Sequence, residues 1–208
     1  MRPHRLIPSL LVKRAARSSL LNGLVSFWKL DENSDGSAPV QRNDSHGTNH
    51  LTDNNTCSSA AGVNGNAVAI AASWLTCASN ATLQTGDIEF TVAARVYTTD
   101  LANWACTVTK GSAADTASIE FGLTLNRDTD RAQFDVWQGG TAQSLQSTNF
   151  GSLTVNTWYD VIGWVDKAAN TINIEVNGVA TSAAKTKTPA AGNAAWSIGA
   201  YANGTFPQ

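Results

Sequence analysis

Residues Trp158 to Ala180, WYDVIGWVDKAANTINIEVNGVA, have few ways to fold other than as antiparallel strands laid side by side. Tyr159, Val161, Gly163 and Val165 alternate with Trp158, Asp160, Ile162 and Trp164, so a strand here points the two sets to opposite faces. The polar run Asp166-Lys167-Ala168-Ala169-Asn170 reverses the chain, and Ile172, Ile174 and Val176 then alternate with Asn173, Glu175 and Asn177. Asn177-Gly178 suits the two positive-φ positions of a type I′ turn, which sends a third strand straight back.

Similar short segments recur along the chain. Strands are expected at Leu24–Leu30, Gly47–Thr56, Ala67–Ile70, Trp74–Ala78, Glu89–Thr98 and Trp104–Lys110. Further ones are expected at Ser118–Asn126, Arg131–Trp137, Thr141–Asn149, Trp158–Val165, Thr171–Asn177 and Ala195–Ala200. Turns rich in Gly, Asn, Asp and Ser separate them, such as Asn33-Ser-Asp-Gly36 and Gly139-Gly140. A dozen short strands without a long helix predict an all-β, antiparallel β-sandwich or jelly roll. The 208 residues fit one such domain.

Charged residues make up 14% of the chain, below the roughly 25% of an average domain, and the surface they leave is rich in hydroxyls and amides. The net charge of −2 gives the β domain no basic footprint for nucleic acid. Three cysteines cannot all pair internally. Cys57 and Cys77 lie in neighbouring expected strands and are spaced for a bridge, but the odd count favours buried thiols. Cys106 sits in an apolar stretch, where a free thiol behaves as a small hydrophobe.

Residues 1–22 differ from the rest and read as a basic N-terminal arm. Five of the fourteen basic residues fall there (Arg2, Arg5, Lys13, Arg14, Arg17), with no acid before Asp31. The apolar run Leu6 to Val12 contains Pro8 and meets Lys13-Arg14, so no Sec signal peptide is recognisable, and no segment is long enough to span a membrane. Two readings stay open: a disordered basic tail, or a docking arm that lays Leu10, Leu11, Leu20 and Leu21 on a protein partner.

Three segments carry a family resemblance. The hairpin Thr157 to Gly178, the opening Gly23-Leu-Val-Ser-Phe-Trp-Lys-Leu-Asp-Glu32 with Arg42-Asn-Asp-Ser-His-Gly47, and Asp87 to Tyr97 with Trp104 to Gly111 occur in order. Together they resemble the concanavalin A-like, laminin-G-like jelly rolls, a superfamily of lectins, adhesion modules, glycosidases and virion proteins. The resemblance implies a laminin-G-like domain over residues 23–208, and one further strand after Ser197-Ile-Gly-Ala-Tyr201, pairing beside the opening strand. The sequence given stops at Phe206-Pro207-Gln208, which predicts an open sheet edge along Leu24–Leu30 and an intermolecular contact there.

Candidate chemistry is sparse. Glycosidases on this scaffold need two facing carboxylates, and the four glutamates (Glu32, Glu89, Glu120, Glu175) form no such pair. Asp87 and Glu89 are spaced i, i+2, but read as solvated residues at a strand start. No catalytic motif is present, and the chain is expected not to be an enzyme. Sugar binding asks for an aromatic platform and a few polar groups. Alternation on Arg131–Trp137 places Gln133, Asp135 and Trp137 on one face, with Trp137 as the platform candidate; ordinary packing of that tryptophan is the alternative. Glu120 and Arg95 are expected to share that sheet face as ligand contacts or as an ion pair. The Asp44-Ser45-His46-Gly47 turn resembles a position where relatives hold a structural ion. A Ca2+ held by Asp31 and Asp44 is therefore one reading, and turn-forming aspartates the other.

These readings combine into a non-catalytic recognition module. The first expectation is a virion protein, a phage-like capsid decoration or fibre component, because virion proteins reach the outside without secretion. It would be oligomeric or part of an assembly, docked through Arg2, Arg5, Lys13, Arg14, Arg17, Leu20 and Leu21 and through the open edge, with a lectin-like domain facing outward. The alternative is a free-standing carbohydrate-binding protein of a cell surface, and a glycoside hydrolase is a distant third.

Overall fold

The computed structural model describes residues 22–205, which are almost entirely β. Fourteen strands occur in chain order: β1 (Gln41–Arg42), β2 (Leu51–Asn54), β3 (Ser58–Ala61), β4 (Asn66–Ala69), β5 (Trp74–Cys77), β6 (Phe90–Thr98) and β7 (Ala105–Lys110). They continue with β8 (Phe121–Asn126), β9 (Arg131–Gln138), β10 (Thr141–Gln146), β11 (Thr157–Asp166), β12 (Thr171–Val176), β13 (Val179–Ala184) and β14 (Trp196–Gly199). An eight-stranded sheet runs β1-β2-β5-β14-β7-β8-β9-β10, a four-stranded sheet runs β13-β12-β11-β6, and β3-β4 form a separate hairpin. Every pairing is antiparallel. No helix among the described residues is long and apolar enough to cross a membrane.

The meander forms as its alternation requires. Val161 pairs with Val176 and Val165 with Ile172, and Asn177-Gly178 turn the chain with φ of 48° and 84°. Its inward side chains, Tyr159, Val161, Val165, Ile172, Ile174 and Val176, pack against Phe121, Leu123, Leu125, Phe134 and Val136 of the larger sheet. Gly163 is the close-approach point: a Cβ there would lie 2.5 Å from the Phe134 ring. A second cluster of Leu51, Cys57, Leu75, Cys77 and Leu83 fills the other end, and Trp196 and Ile198 touch both. All three cysteines are buried free thiols, and burial pushes the Cys106 thiol up to about 12.

Leu24–Leu30 corrects an expectation, because it makes no ladder. Trp28 forms one isolated bridge, with Asp44. The Phe27 amide donates to the Asp44 carboxylate at 2.9 Å, the Ser45 amide donates to the Phe27 carbonyl, and Leu30 turns at φ 58°. The backbone that looked ready for a strand partner is taken up by the Asp44 turn. The edges of the smaller sheet are β13 and the nine-residue strand β6.

Candidate functional site

On β6 and β11 the outward side chains form cross-strand pairs: Tyr97 with Trp158, Arg95 with Asp160, Ala93 with Ile162, and Thr91 with Trp164. The same period-2 alternation that buries Val161 and Val165 turns these residues away from the core. The Tyr97 and Trp158 rings lie 5.2 Å apart, and Tyr97 is 44% exposed. Trp164 lies six positions beyond Trp158, which along a strand is about 20 Å. Between them Arg95 grips Asp160 through two bonds of 2.6 Å and holds its carboxyl below the usual range. A groove of about 420 Å³ runs beside this pair, lined by Phe27, Ala93, Ala94, Arg95, Asp160, Ile162, Glu175, Asn177 and Gly178. The arrangement joins flat apolar surface to fixed polar groups, as sugar recognition requires.

The outer face of the eight-stranded sheet has a different chemistry. Gln41, Thr52, Thr76, Ser197, Thr109, Gly122, Asp135 and Ser144 stand in one cross-strand row across all eight strands. Its middle is closed: the Thr109 and Ser197 hydroxyls lie 2.7 Å apart and both bond the Ala200 carbonyl. Gly204 sits against the Trp74 ring, where a Cβ would come within 2.7 Å.

The expected residues Gln133, Asp135 and Trp137 do share that outer face, beyond the closed middle. Gln133 and Asp135 are buried, joined by bonds of 2.9 and 3.1 Å from the Gln133 amide, which also accepts from Asn126 at 2.7 Å. Burial raises the Asp135 carboxyl, opposed by hydrogen bonds from Ser144 and Gln133. Trp137 is half-buried against Cys106, Ile119 and Tyr201, and its indole N–H is enclosed without a partner among the described residues.

Glu120 and Arg95 do not meet. Arg95 lies on the smaller sheet, half-exposed and paired with Asp160. Glu120 is fully buried and bound by Lys110, the Thr85 hydroxyl and the Gly192 amide, with Lys110 also donating to the Gly192 carbonyl at 2.9 Å. An acid leading into β8 and a base closing β7 are joined because those strands pair, while Arg95 belongs to another layer.

Asp44 is a turn organiser. Its oxygens accept from the amides of Phe27, His46, Gly47 and Asn49. Although burial opposes ionisation, the amides of Phe27, Gly47 and His46 hold its carboxyl well below the usual range. Both oxygens accept from backbone amides, which is the turn-forming reading of Asp44. No group of three or more His, Cys, Asp or Glu among the described residues is placed to hold a metal ion. Arg2, Arg5, Lys13, Arg14, Arg17, Leu20 and Leu21 lie outside the described residues.

Sequence reasoning placed Trp158, Asp160, Ile162 and Trp164 on one face but drew no site from it; two tryptophans on the outward side of one strand were the signal. The hydroxyl row had no such signal, because its eight members come from eight strands.

The sequence matches a family described as the concanavalin A-like lectin/glucanases superfamily over residues 69–207, more than half of the chain. No curated protein matches it. Among solved structures, it is similar to domain 4 of an extracellular GH43 arabinanase from Geobacillus stearothermophilus, in complex with arabinotriose, at 17% identity and a TM-score of 0.51. That match covers 69% of this chain and 66% of the arabinanase domain, so the chain spans just under two thirds of that domain's length. A CBM40 of a Ruminococcus gnavus sialidase, bound to α2,3-sialyllactose, matches at 13% identity and a TM-score of 0.48, covering 60% of this chain and 70% of its own. The carbohydrate-binding module CBM66 from Bacillus subtilis matches at 12% and 0.43, covering 69% and 84%. At these identities the likeness is one of fold.

Proposed function

The chain belongs to the concanavalin A-like lectin/glucanase superfamily, and within it we propose a non-catalytic, glycan-binding role. One observation carries the reading: an aromatic strip of the exposed Tyr97 and the half-buried Trp158 and Trp164 on the outward sheet face, with the fixed Arg95–Asp160 pair between its ends. Sugar rings stack on the aromatics while their hydroxyls bond the charged pair and Glu175. A non-catalytic role is supported by the state of the acids. Glu120 is sealed against Lys110, and Asp87 is held by Lys167 and Lys185. The role belongs outside the cell or on a particle surface.

A finer reading makes the module a virion component that displays this face outward. It rests on the basic residues before Asn22 and on the exposed Val25 and Phe27 that follow them. A free-standing cell-surface lectin is the alternative. Deleting residues 1–22 separates the two: a particle component loses assembly, whereas a lectin keeps its binding.

Arabinotriose, the ligand of the arabinanase domain, is a first probe, within a glycan array. Trp158→Ala is expected to weaken binding at least ten-fold while the chain stays folded, read as an unchanged far-ultraviolet circular dichroism spectrum. Equal binding by Trp158→Ala, or no binding by the parent chain to any arrayed glycan, overturns the proposal.

A further inference from the structure

We infer that the open end of the hydroxyl row, on the sheet opposite the aromatic strip, is a second binding site, for neutral oligosaccharides. Here Gln41, Thr52 and Thr76 stand in register across β1, β2 and β5, because Leu51 and Leu75 on the alternate positions point into the core. They line a concavity of about 550 Å³ together with Thr48, His50 and Asn80. The row is closed over Thr109 and Ser197 and buried at Asp135, and its exposed far end is the single hydroxyl of Ser144, so the Gln41 end is where several exposed polar side chains gather around a concavity.

The hydrogen-bonding groups here are unspent. The Gln41 amide and the Thr48 and Thr52 hydroxyls have no partner among the described residues. Thr76 Oγ1 accepts from Asn54 at 2.9 Å, which leaves its own hydrogen to donate. His50 Nδ1 accepts from the Asp44 amide at 3.1 Å, so the neutral ring carries its proton on Nε2 as a donor. Hydroxyls and a primary amide both give and accept, matching the two-way bonding of sugar hydroxyls.

The walls are held in place. Asp44 fixes the turn before His50 by accepting from His46, Gly47 and Asn49. Asn49 is saturated, accepting from Asn80 at 2.6 Å and donating to Ser26 at 2.7 Å and Thr82 at 3.3 Å. Asn80 in turn caps Thr82 at 2.9 Å. The backbone of these walls is therefore fixed before binding, and only the free side chains of Gln41, Thr48 and Thr52 are left to order. Among the described residues no Lys, Arg, Asp or Glu lines the concavity, which selects a neutral ligand over an anionic one.

The inference shares only its ligand class with the aromatic-strip reading, and each stands or falls at its own surface. The test is an amide chemical-shift titration of the full chain with neutral oligosaccharides of arabinose, xylose, glucose and galactose, and with sialyllactose as the anionic probe. At least one neutral oligosaccharide is expected to move the amides of Gln41, Thr52 and Thr76, and to do so equally in Trp158→Ala. Combining Gln41→Ala with the isosteric Thr52→Val is expected to weaken that response at least ten-fold with the rest of the spectrum unchanged. Shifts confined to β6 and β11 overturn the second site and leave the aromatic strip standing. Shifts at the concavity alone do the reverse. A stronger response there to sialyllactose, or none to any neutral sugar, also overturns it.

Discussion

The two sheets solve the problem of an outer face in opposite ways. The four-stranded sheet leaves large aromatics in view, with Tyr97 44% exposed beside Trp158, and bridges them with an exposed ion pair. The eight-stranded sheet encloses polar groups: Gln133, Asp135, Thr109, Ser197 and Thr124 are all buried on its outer side. A face that hides its polar groups must bond them to one another, and most of these do. A face that shows its aromatics gains no folding energy from the shown part, so such surface on a folded domain points to contact with something else. Stability and recognition are therefore divided between layers, with the second site at the Gln41 end of the polar row, where it borders a concavity.

The sharpest way to break this contrast is Glu120→Ala. It leaves Lys110 as an uncompensated cation in a fully buried position, with an expected cost of about 3–5 kcal/mol in urea unfolding. Replacing both partners with apolar residues is expected to recover most of that loss. Lys110 stands in register with the inward Phe121 and Trp196, so a cost for Glu120→Ala within the ~1 kcal/mol of a surface pair would show that this pair is not sealed between the layers.

Gly163→Ala sharpens the contrast within a single strand. Its new methyl is aimed at the Phe134 ring, and overpacking is expected to cost about 1–3 kcal/mol, read as a lower Tm. One residue away, Ile162 and Trp164 point outward and should tolerate truncation far better. Equal sensitivity at both kinds of position would mean that the aromatic face is covered.

The smallest effect concerns Asp135 and depends on pH. Burial raises its carboxyl above the ordinary value of 3.8, so below that value folded and unfolded chains are both protonated and the group is neutral to stability. As pH rises from near 3.8 through the raised folded value, the unfolded chain ionises first and the fold loses stability. Asp135→Asn removes that penalty. Its Tm is expected to match the parent at pH 3.5 and to exceed it at pH 7.5. A variant less stable at pH 7.5 would show that the charge is compensated on this face.

How much of this was legible beforehand varied by region. The meander could be read from residues alone, because its three strands are contiguous and Asn177-Gly178 leaves one way to turn. The aromatic strip was half legible, since alternation grouped Trp158 with Trp164 but could not say how far they stay exposed. Leu24–Leu30 misled for a physical reason: its apolar pattern suits a strand, yet Asp44, fourteen residues beyond Leu30, captures the Phe27 amide first. Pairing Glu120 with Arg95 failed because charge complementarity is blind to layers, and Lys110 on the adjacent strand was nearer.

Period-2 patterning and turn chemistry are local, so the chain by itself settled that it would be antiparallel β and which side of each strand would be apolar. Sheet order is set by contacts between distant segments, and only those contacts could line up Gln41, Thr52, Thr76 and Ser197 from four separate strands. Which outward face is closed and which is open was likewise a matter of tertiary packing, because a side chain's exposure depends on what the rest of the molecule lays over it.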